Sequence, residues 1–417
     1  MSEDAKPYMN QKLDELAGQI KRIRLESGDT AATPMSRPKI IFFLVELINS
    51  YAAVYYANFL FFYVRDRFGF TELENLLLAA LSGLVYVFAA WQGGAFAERF
   101  GYVRGLCVGL TGVAISLAAG LFWDSVAGQV IVFAAWTISI CFTWPALSAI
   151  VSEGGGARLS DMVGIYNITW AVGAAVAYFT AGLLLERLGM ASLFWLPLCL
   201  VALQGLLVFL AVRLRQEGET VAPVAPETTE KGRTTDSRRL LHMAWLANPL
   251  SYVAINTVLP LIPSISETLG LSTAAAGILC SVWMFARLAA FGILWRWTGW
   301  HYHSAWLLGS FAVMTACFAG FVRPSSLSML LASQVGFGLS IGLIYYSSLF
   351  YSMNASEEKG THGGLHEAII GTGLFVGPAC GASSLFLFPS LAVATWPVTG
   401  LLIAGLAGLA WMGQSKK

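Results

Sequence analysis

Gly94-Ala-Phe-Ala-Glu98-Arg99-Phe-Gly101-Tyr-Val-Arg104 is a short polar island between two long apolar runs. An acid and a base sit in its middle, glycines stand on both sides of them, and an arginine closes it. In lipid every backbone polar group must be satisfied within its own helix, so two apolar runs joined by so short a link fold as a membrane hairpin. The glycines permit close helix approach and a sharp turn. The charges mark the side of the hairpin that faces water.

Outward from this hairpin, apolar segments recur at about 40–64, 73–97, 104–122, 126–151, 162–185, 190–213, 241–265, 271–296, 304–322, 326–352, 365–388 and 391–412. Each is long enough to cross a hydrocarbon core of about 30 Å. The composition agrees, with 57% hydrophobic and 12% charged residues and a mean hydropathy of +0.66, where soluble domains carry about 25% charged residues. The expected fold class is an all-α membrane protein of twelve transmembrane helices. A net charge of +1 offers no basic surface for nucleic acid. The six cysteines all lie inside apolar runs and form no CxxC, so neither a disulfide framework nor a metal knot is expected. The polar residues before the first run lack a signal-peptide core, and the first helix is expected to act as an uncleaved insertion signal.

The polar stretches divide the chain into a tail (1–38), a six-helix bundle (39–213), a linker (214–240), a second six-helix bundle (241–412) and a short tail (413–417). The linker contains Pro223, Pro226 and Gly232 among charges. In the first tail Met9, Leu13, Leu16, Ile20 and Ile23 are spaced as on one helix face, which suits a surface-lying amphipathic helix or a weak coiled-coil seam. With the N-terminus inside, twenty of the 25 lysines and arginines fall on the side of the termini and linker. Four (Arg65, Arg67, Arg187, Arg323) fall on the other, and Arg287 lies within a helix. Both termini are therefore expected in the cytoplasm. The short loops suit a multi-pass protein of a bacterial inner membrane.

The halves resemble each other. Gly94 and Gly101 recur as Gly292 and Gly299, each 198 residues later. Gly173-xxx-Ala177-Tyr178-xx-Ala181-Gly182 recurs 200 residues later as Gly373-xxx-Gly377-Pro378-xx-Gly381-Ala382. Parallel six-helix repeats are a transporter architecture. Residues 94–104 resemble the loop 2–3 signature of the major facilitator superfamily, with Glu98 where aspartate is usual. The Gly373–Ala382 pattern resembles that family's glycine–proline motif. The resemblance spans roughly residues 39–412 and implies the family's fold of two six-helix pseudo-repeats. It makes Gly94, Glu98, Arg99, Gly101 and Arg104 a cytoplasmic gate motif, and Gly373, Gly377, Pro378 and Gly381 a helix-11 motif. The second loop copy, Gly292–Gly299, lacks the acid.

Charged and amide side chains inside lipid are costly and usually face a cavity or the bundle interior. They concentrate in particular segments: Glu46, Asn49 and Asn58 in the first, Gln92 in the second, Asn167 in the fifth, Asn248 and Asn256 in the seventh, Arg287 in the eighth, Gln334 in the tenth, and His366-Glu367 opening the eleventh. The third, ninth and twelfth have none and the sixth only Gln204. In the family resembled, helices 3, 6, 9 and 12 face lipid. With the aromatic residues Tyr55 and Tyr345, the candidates for a solute or ion pathway are Glu46, Asn49, Tyr55, Asn58, Asn167, Asn256, Arg287, Gln334, Tyr345 and Glu367. At 1.5 Å per residue Glu46 and Arg287 lie about 10 and 14 Å deep from one face. These depths suit either a structural ion pair or two groups facing one cavity.

No metal site is expected: five histidines, two pairs of them at His301-x-His303 and His362-xxx-His366, are too few for a histidine-box enzyme. No cofactor, nucleophile–base constellation or GxxxxGK[ST] loop appears, so neither an enzyme nor an ATP-driven pump is expected. The resemblance implies a secondary transporter that moves a small organic solute by alternating access. Its expected partners are that solute, H+ or Na+, and the bilayer, with the protein a monomer. The fourth segment has no arginine, and the fifth has Ala177-Tyr178 where drug antiporters of the family carry glycine–proline. Both departures favour ion-coupled uptake (symport) or facilitated transport. The alternatives are a proton-driven efflux antiporter and a non-transporting receptor or scaffold.

Overall fold

The computed structural model describes residues 35–152, 159–218, 235–355, 359–388 and 395–414. The amphipathic pattern of residues 1–34, the centre of the linker, Arg158 and the side chains of His362 and His366 lie outside the described set. Among the described residues there are 12 helices long and apolar enough to cross a membrane, and no strand. They are α1 (Arg37–Phe68), α2 (Glu72–Phe100), α3 (Tyr102–Phe122), α4 (Val126–Val151), α5 (Leu159–Leu188) and α6 (Ser192–Gly218) in the first half. The second half holds α7 (Ser237–Thr268), α8 (Thr273–Arg296), α9 (Ser304–Val322), α10 (Leu327–Ala355), α11 (Lys359–Leu387) and α12 (Trp396–Gln414). The protein is a multi-pass membrane protein built on two six-helix repeats.

Local chemistry sets the helix ends. Pro38 opens α1, where its missing N–H is not needed. Gly69, in the left-handed region at φ 72°, closes it: its amide donates to the Arg65 carbonyl and the Phe70 amide to the Val64 carbonyl. A capping box starts α2: the Thr71 amide donates to Glu74 Oε2 at 2.7 Å. The opening hairpin turns at Gly101, where φ is +98°, a value that favours glycine. Glu98, Arg99 and Arg104 are exposed there, and neither ion pair among the described residues involves them. Helix continues past the apolar boundary at both ends of the linker, to Gly218 and from Thr235. Arginine and glutamate are good helix formers, and water solvates them there.

The repeat is visible in the packing. A Cβ at Gly173 would meet the Leu47 carbonyl, so α5 lies directly on α1. A Cβ at Gly373, its counterpart in the second half, would meet the Pro249 carbonyl, so α11 lies equally close to α7. Three helices break within the bilayer: α4 at Cys141–Phe142, α7 at a 3-10 turn over Leu259–Leu261, and α8 at Ser281. Asn49 Nδ2 donates to Thr143 Oγ1 (3.1 Å) beside the first break. Asn75 Nδ2 donates to the Pro260 carbonyl (3.4 Å) beside the second. Freed backbone groups in lipid need such partners.

The α8–α9 turn, which keeps Arg296 but lacks the acid of its α2–α3 counterpart, is held by rings. Trp300 is 1% exposed and packs edge-on against Tyr346, Phe350 and Tyr351 at 5.2–6.2 Å between centroids. His301 stacks on Phe350 at 4.1 Å, and the Tyr302 amide donates to Tyr351 Oη (3.1 Å). Trp300→Ala is expected to destabilise the protein by about 3–5 kcal/mol, as for other buried tryptophans. Thermal unfolding in detergent checks this; a melting temperature within two or three degrees of wild type contradicts it.

Candidate functional site

A cavity of about 260 Å³ lies between the halves, with side chains from α1, α2, α4, α5, α7, α8, α10 and α11 in its wall. No lining residue comes from α3, α6, α9 or α12, which instead expose bulky apolar residues such as Phe122, Leu206, Val313 and Trp411. The volume sits just below the usual range for ligand pockets, which suits a small solute.

Six of the ten pathway candidates line this cavity: Glu46, Asn58, Asn256, Arg287, Tyr345 and Glu367. The other four are turned elsewhere. Asn49 braces α4 through Thr143. Tyr55 Oη shares a hydrogen bond with Ser192 Oγ at 3.1 Å, towards α6. Asn167 Oδ1 accepts from Trp170 Nε1 at 3.1 Å. Gln334 is fully buried within the second half.

Glu46 is fully buried. Its Oε1 accepts from Ser50 Oγ, one turn along α1, at 3.0 Å. Tyr166 stands beside the carboxyl, and Glu367 faces it from α11. Glu367 Oε2 in turn accepts from Tyr86 Oη of α2 at 2.6 Å, a hydrogen bond that crosses from one half to the other.

Arg287 is 3% exposed. Its guanidinium lies 4.7 Å from the Trp170 ring, 4.9 Å from Tyr345, 5.5 Å from Phe291 and 5.9 Å from Tyr252. Nη2 donates to Tyr252 Oη at 3.4 Å. Neither ion pair among the described residues involves it. Arg287 and Glu46 therefore face one cavity and are not a structural ion pair. The arginine's charge is held by ring quadrupoles, an arrangement worth about 2 kcal/mol when desolvated.

Contacts between the halves flank the cavity at both ends. At the face where α1 ends, Arg65 Nη1 donates to the Pro263 carbonyl (2.9 Å) and the Ala274 amide to Glu186 Oε1 (2.8 Å). At the face where α1 begins, Trp295 Nε1 donates to Asp161 Oδ1 (3.3 Å). Gly83 of α2 abuts the Leu374 backbone of α11 between them.

Polarity counts could not single out Tyr86, Tyr166, Tyr252 or Trp136, all of which line the cavity. Trp144, Trp170 and Trp283 stand out in the sequence only as part of its aromatic density. Among the described residues no cluster of histidine, cysteine, aspartate or glutamate could hold a metal ion.

A family model described as Major Facilitator Superfamily matches residues 42–247. Among solved structures, a mutant form of the nucleoside transporter NupG is similar over 90% of this chain and 100% of its own, with a TM-score of 0.68 at 14% identity. Another NupG structure gives 0.65 at 12% identity over 91% and 100%. The human organic anion transporter MFSD10 (TETRAN) gives 0.65 at 15% over 90% and 100%. At such identities the likeness is one of fold. No curated protein matches the chain in sequence. The loop signature, the paired repeats, the twelve-helix fold and the family match agree, and the chain belongs to the major facilitator superfamily.

Proposed function

We propose that the protein is a secondary transporter of a small organic solute. The two halves rock about the central cavity, in the uptake or facilitated direction and with both termini in the cytoplasm. The observation that carries this reading is a central cavity walled by both halves, with half-to-half contacts at each end. Rocking exchanges which set of contacts is broken, and so which face the cavity meets. Counterflow in proteoliposomes tests it: a solute that raises the melting temperature should exchange across the membrane. Binding without exchange would leave a receptor or scaffold.

Proton coupling is assigned to Glu46. It is a carboxyl buried in the bundle interior, and it lines the cavity beside a second carboxyl, Glu367. Intramembrane carboxyls of this kind form proton relays. Uptake by the wild type should rise as the pH on the loading side falls, because protonation loads Glu46. Glu46→Gln mimics the loaded form, and its uptake should be flat across pH 5–8. Persistence of the wild-type pH profile in Glu46→Gln would remove the residue from that role.

A further inference from the structure

Hydrogen bonds tie the two halves together at Arg65, Asn75, Tyr86, Glu186 and Trp295. Of these, only the bond from Tyr86 Oη of α2 to Glu367 Oε2 of α11 joins two side chains that line the cavity. The rest of the α2–α11 seam closes by backbone contact, with Gly83 against Leu374 and Gly371 against Val87. Glu367 is eight residues into α11, so at 1.5 Å per residue it lies about 12 Å from the face where α1 begins. That is about the depth of Glu46, which faces it in the same cavity.

The two carboxyls differ in their bonds. Tyr86 approaches Glu367 to 2.6 Å, the length of a hydroxyl donating to an ionised carboxylate, about 2.5–2.7 Å. Ser50 stays 3.0 Å from Glu46, at the long end for a hydroxyl donor. Two carboxylates that share a site do not readily both ionise. One proton on Glu46 and one negative charge on Glu367 satisfy all three conditions. Tyr166 hydrogen-bonds Glu46 and stands near Glu367 as well, so its hydroxyl can accept a proton from one carboxyl while giving its own to the other. Tyr86, Cys141, Tyr252 and Tyr345 also stand near Glu367, and Arg287 lines the same wall. Tyrosine, cysteine and arginine ordinarily titrate above pH 8. The groups left to change charge between pH 5 and 8 are the two glutamates and His366, the neighbour of Glu367 in sequence.

Building on the transporter reading and on proton loading at Glu46, we propose that Glu367 is the second stop of the proton and that its bond to Tyr86 is a latch the proton releases. The O–H bond on Glu46 breaks and one forms on Glu367. The pair keeps one negative charge, which moves to Glu46, and Tyr86 ends with its hydroxyl proton in place. Facing a neutral acid, that hydroxyl makes a bond about half as strong. The α2–α11 seam then parts about 10-fold more readily, and the cavity opens towards the face where α1 begins. Glu367 carries the proton, and Tyr86 is the positioning residue that turns its arrival into movement of the halves.

The test measures the separation of the halves in purified full-length protein in nanodiscs, without solute. Phe100 ends α2 and Trp306 lies in the first turn of α9. Both are exposed, on opposite halves, at the face where α1 begins. Nitroxides attached through p-acetylphenylalanine at these two positions report their distance by pulsed electron resonance and spare the native cysteines. In the wild type the population at the longer distance should grow as pH falls from 8 to 5. Glu367→Gln fixes the latch in its neutral form. At pH 8 its ratio of separated to joined molecules should be about 10-fold above wild type, and it should not change with pH. Tyr86→Phe should raise the ratio at least as far with the same loss of pH response, and the double variant should add nothing to the larger single effect. His366→Gln should keep the wild-type response. The proposal is overturned if Tyr86→Phe or Glu367→Gln keeps the wild-type ratio and response, or if His366→Gln abolishes the response. Equal wild-type distances at pH 8 and pH 5 overturn it even if a variant fails to fold. Solute counterflow with the same protein separates the two readings. A responsive latch in a protein that exchanges no solute sinks transport and leaves the latch standing. Exchange by a protein whose latch is silent sinks the latch and leaves transport standing.

Discussion

Arg287→Gln lowers kcat/KM for the transported solute by about 100-fold and does not lower the melting temperature of the unliganded protein. The first half of this result follows from charge. A hydrogen bond to a charged group contributes about 1.5–3 kcal/mol, and 2.7 kcal/mol is a factor of about 100. The second half follows from the partners. Removing one member of a buried ion pair strands the other and destabilises by about 3–5 kcal/mol. Arg287 has no carboxylate to strand; its neighbours are Trp170, Tyr252, Phe291 and Tyr345, and a neutral amide among rings relieves a desolvated charge. Arg287→Lys should fall between wild type and Arg287→Gln. It keeps the charge but loses the planar edge. Solute-stimulated uptake in proteoliposomes and a thermal melt of each variant measure the two quantities. A fall of ten degrees or more in the apo melt, with uptake reduced only in proportion to folded protein, would show a structural arginine instead.

The fold was legible in the sequence because hydropathy along the chain is a one-dimensional signal. A run of about twenty apolar residues has one solution in lipid, and twelve such runs with a glycine pattern repeated at one offset leave few arrangements. The cavity was legible only in part, because counting polar residues per helix carries no phase. Asn49 lies three residues from Glu46 on the same helix, yet it is spent on the α4 break at Thr143 while Glu46 faces the cavity. Tyr55 and Tyr51 share hydrogen bonds with Ser192 and Thr180, so the first helix spends polar groups on several neighbours at once. Tyr86, Tyr166 and Tyr252 were invisible for the opposite reason. A tyrosine in an apolar run looks like packing until a partner such as Glu367 or Arg287 appears beside its hydroxyl. The aromatic clasp at Trp300 had a sequence signal, the Trp-His-Tyr-His cluster at 300–303. Its meaning depended on Phe350 and Tyr351, about fifty residues away.

Gly83→Val should cut transport by about 10- to 100-fold with little loss of folded protein, whereas Gly173→Val should cost folding itself. Both substitutions put a branched side chain where helix backbones touch. At Gly173 a Cβ meets the Leu47 carbonyl, and α1 and α5 belong to the same half. That contact has no alternative arrangement in which to relax, so overpacking costs about 1–3 kcal/mol of stability. At Gly83 a Cβ meets the backbone of Leu374 and Phe375, which belongs to the other half, and Gly371 lies against Val87 in the same seam. A wedge there is relieved by parting the halves. The same 1–3 kcal/mol then biases the conformational equilibrium by about 5- to 150-fold away from the arrangement with α2 and α11 in contact. A carrier that rarely reaches one of its two states turns over slowly even when solute binds. A cysteine placed at Ala57, on the cavity wall, reports the shift. Maleimide labelling from one side should be several-fold faster in Gly83→Val than in the parent and unchanged in Gly173→Val. If both variants lower the melt equally and neither alters labelling, the α2–α11 seam stays closed throughout the cycle. The halves must then part elsewhere, with the Asp161–Trp295 and Arg65–Pro263 contacts between them as the remaining places to look.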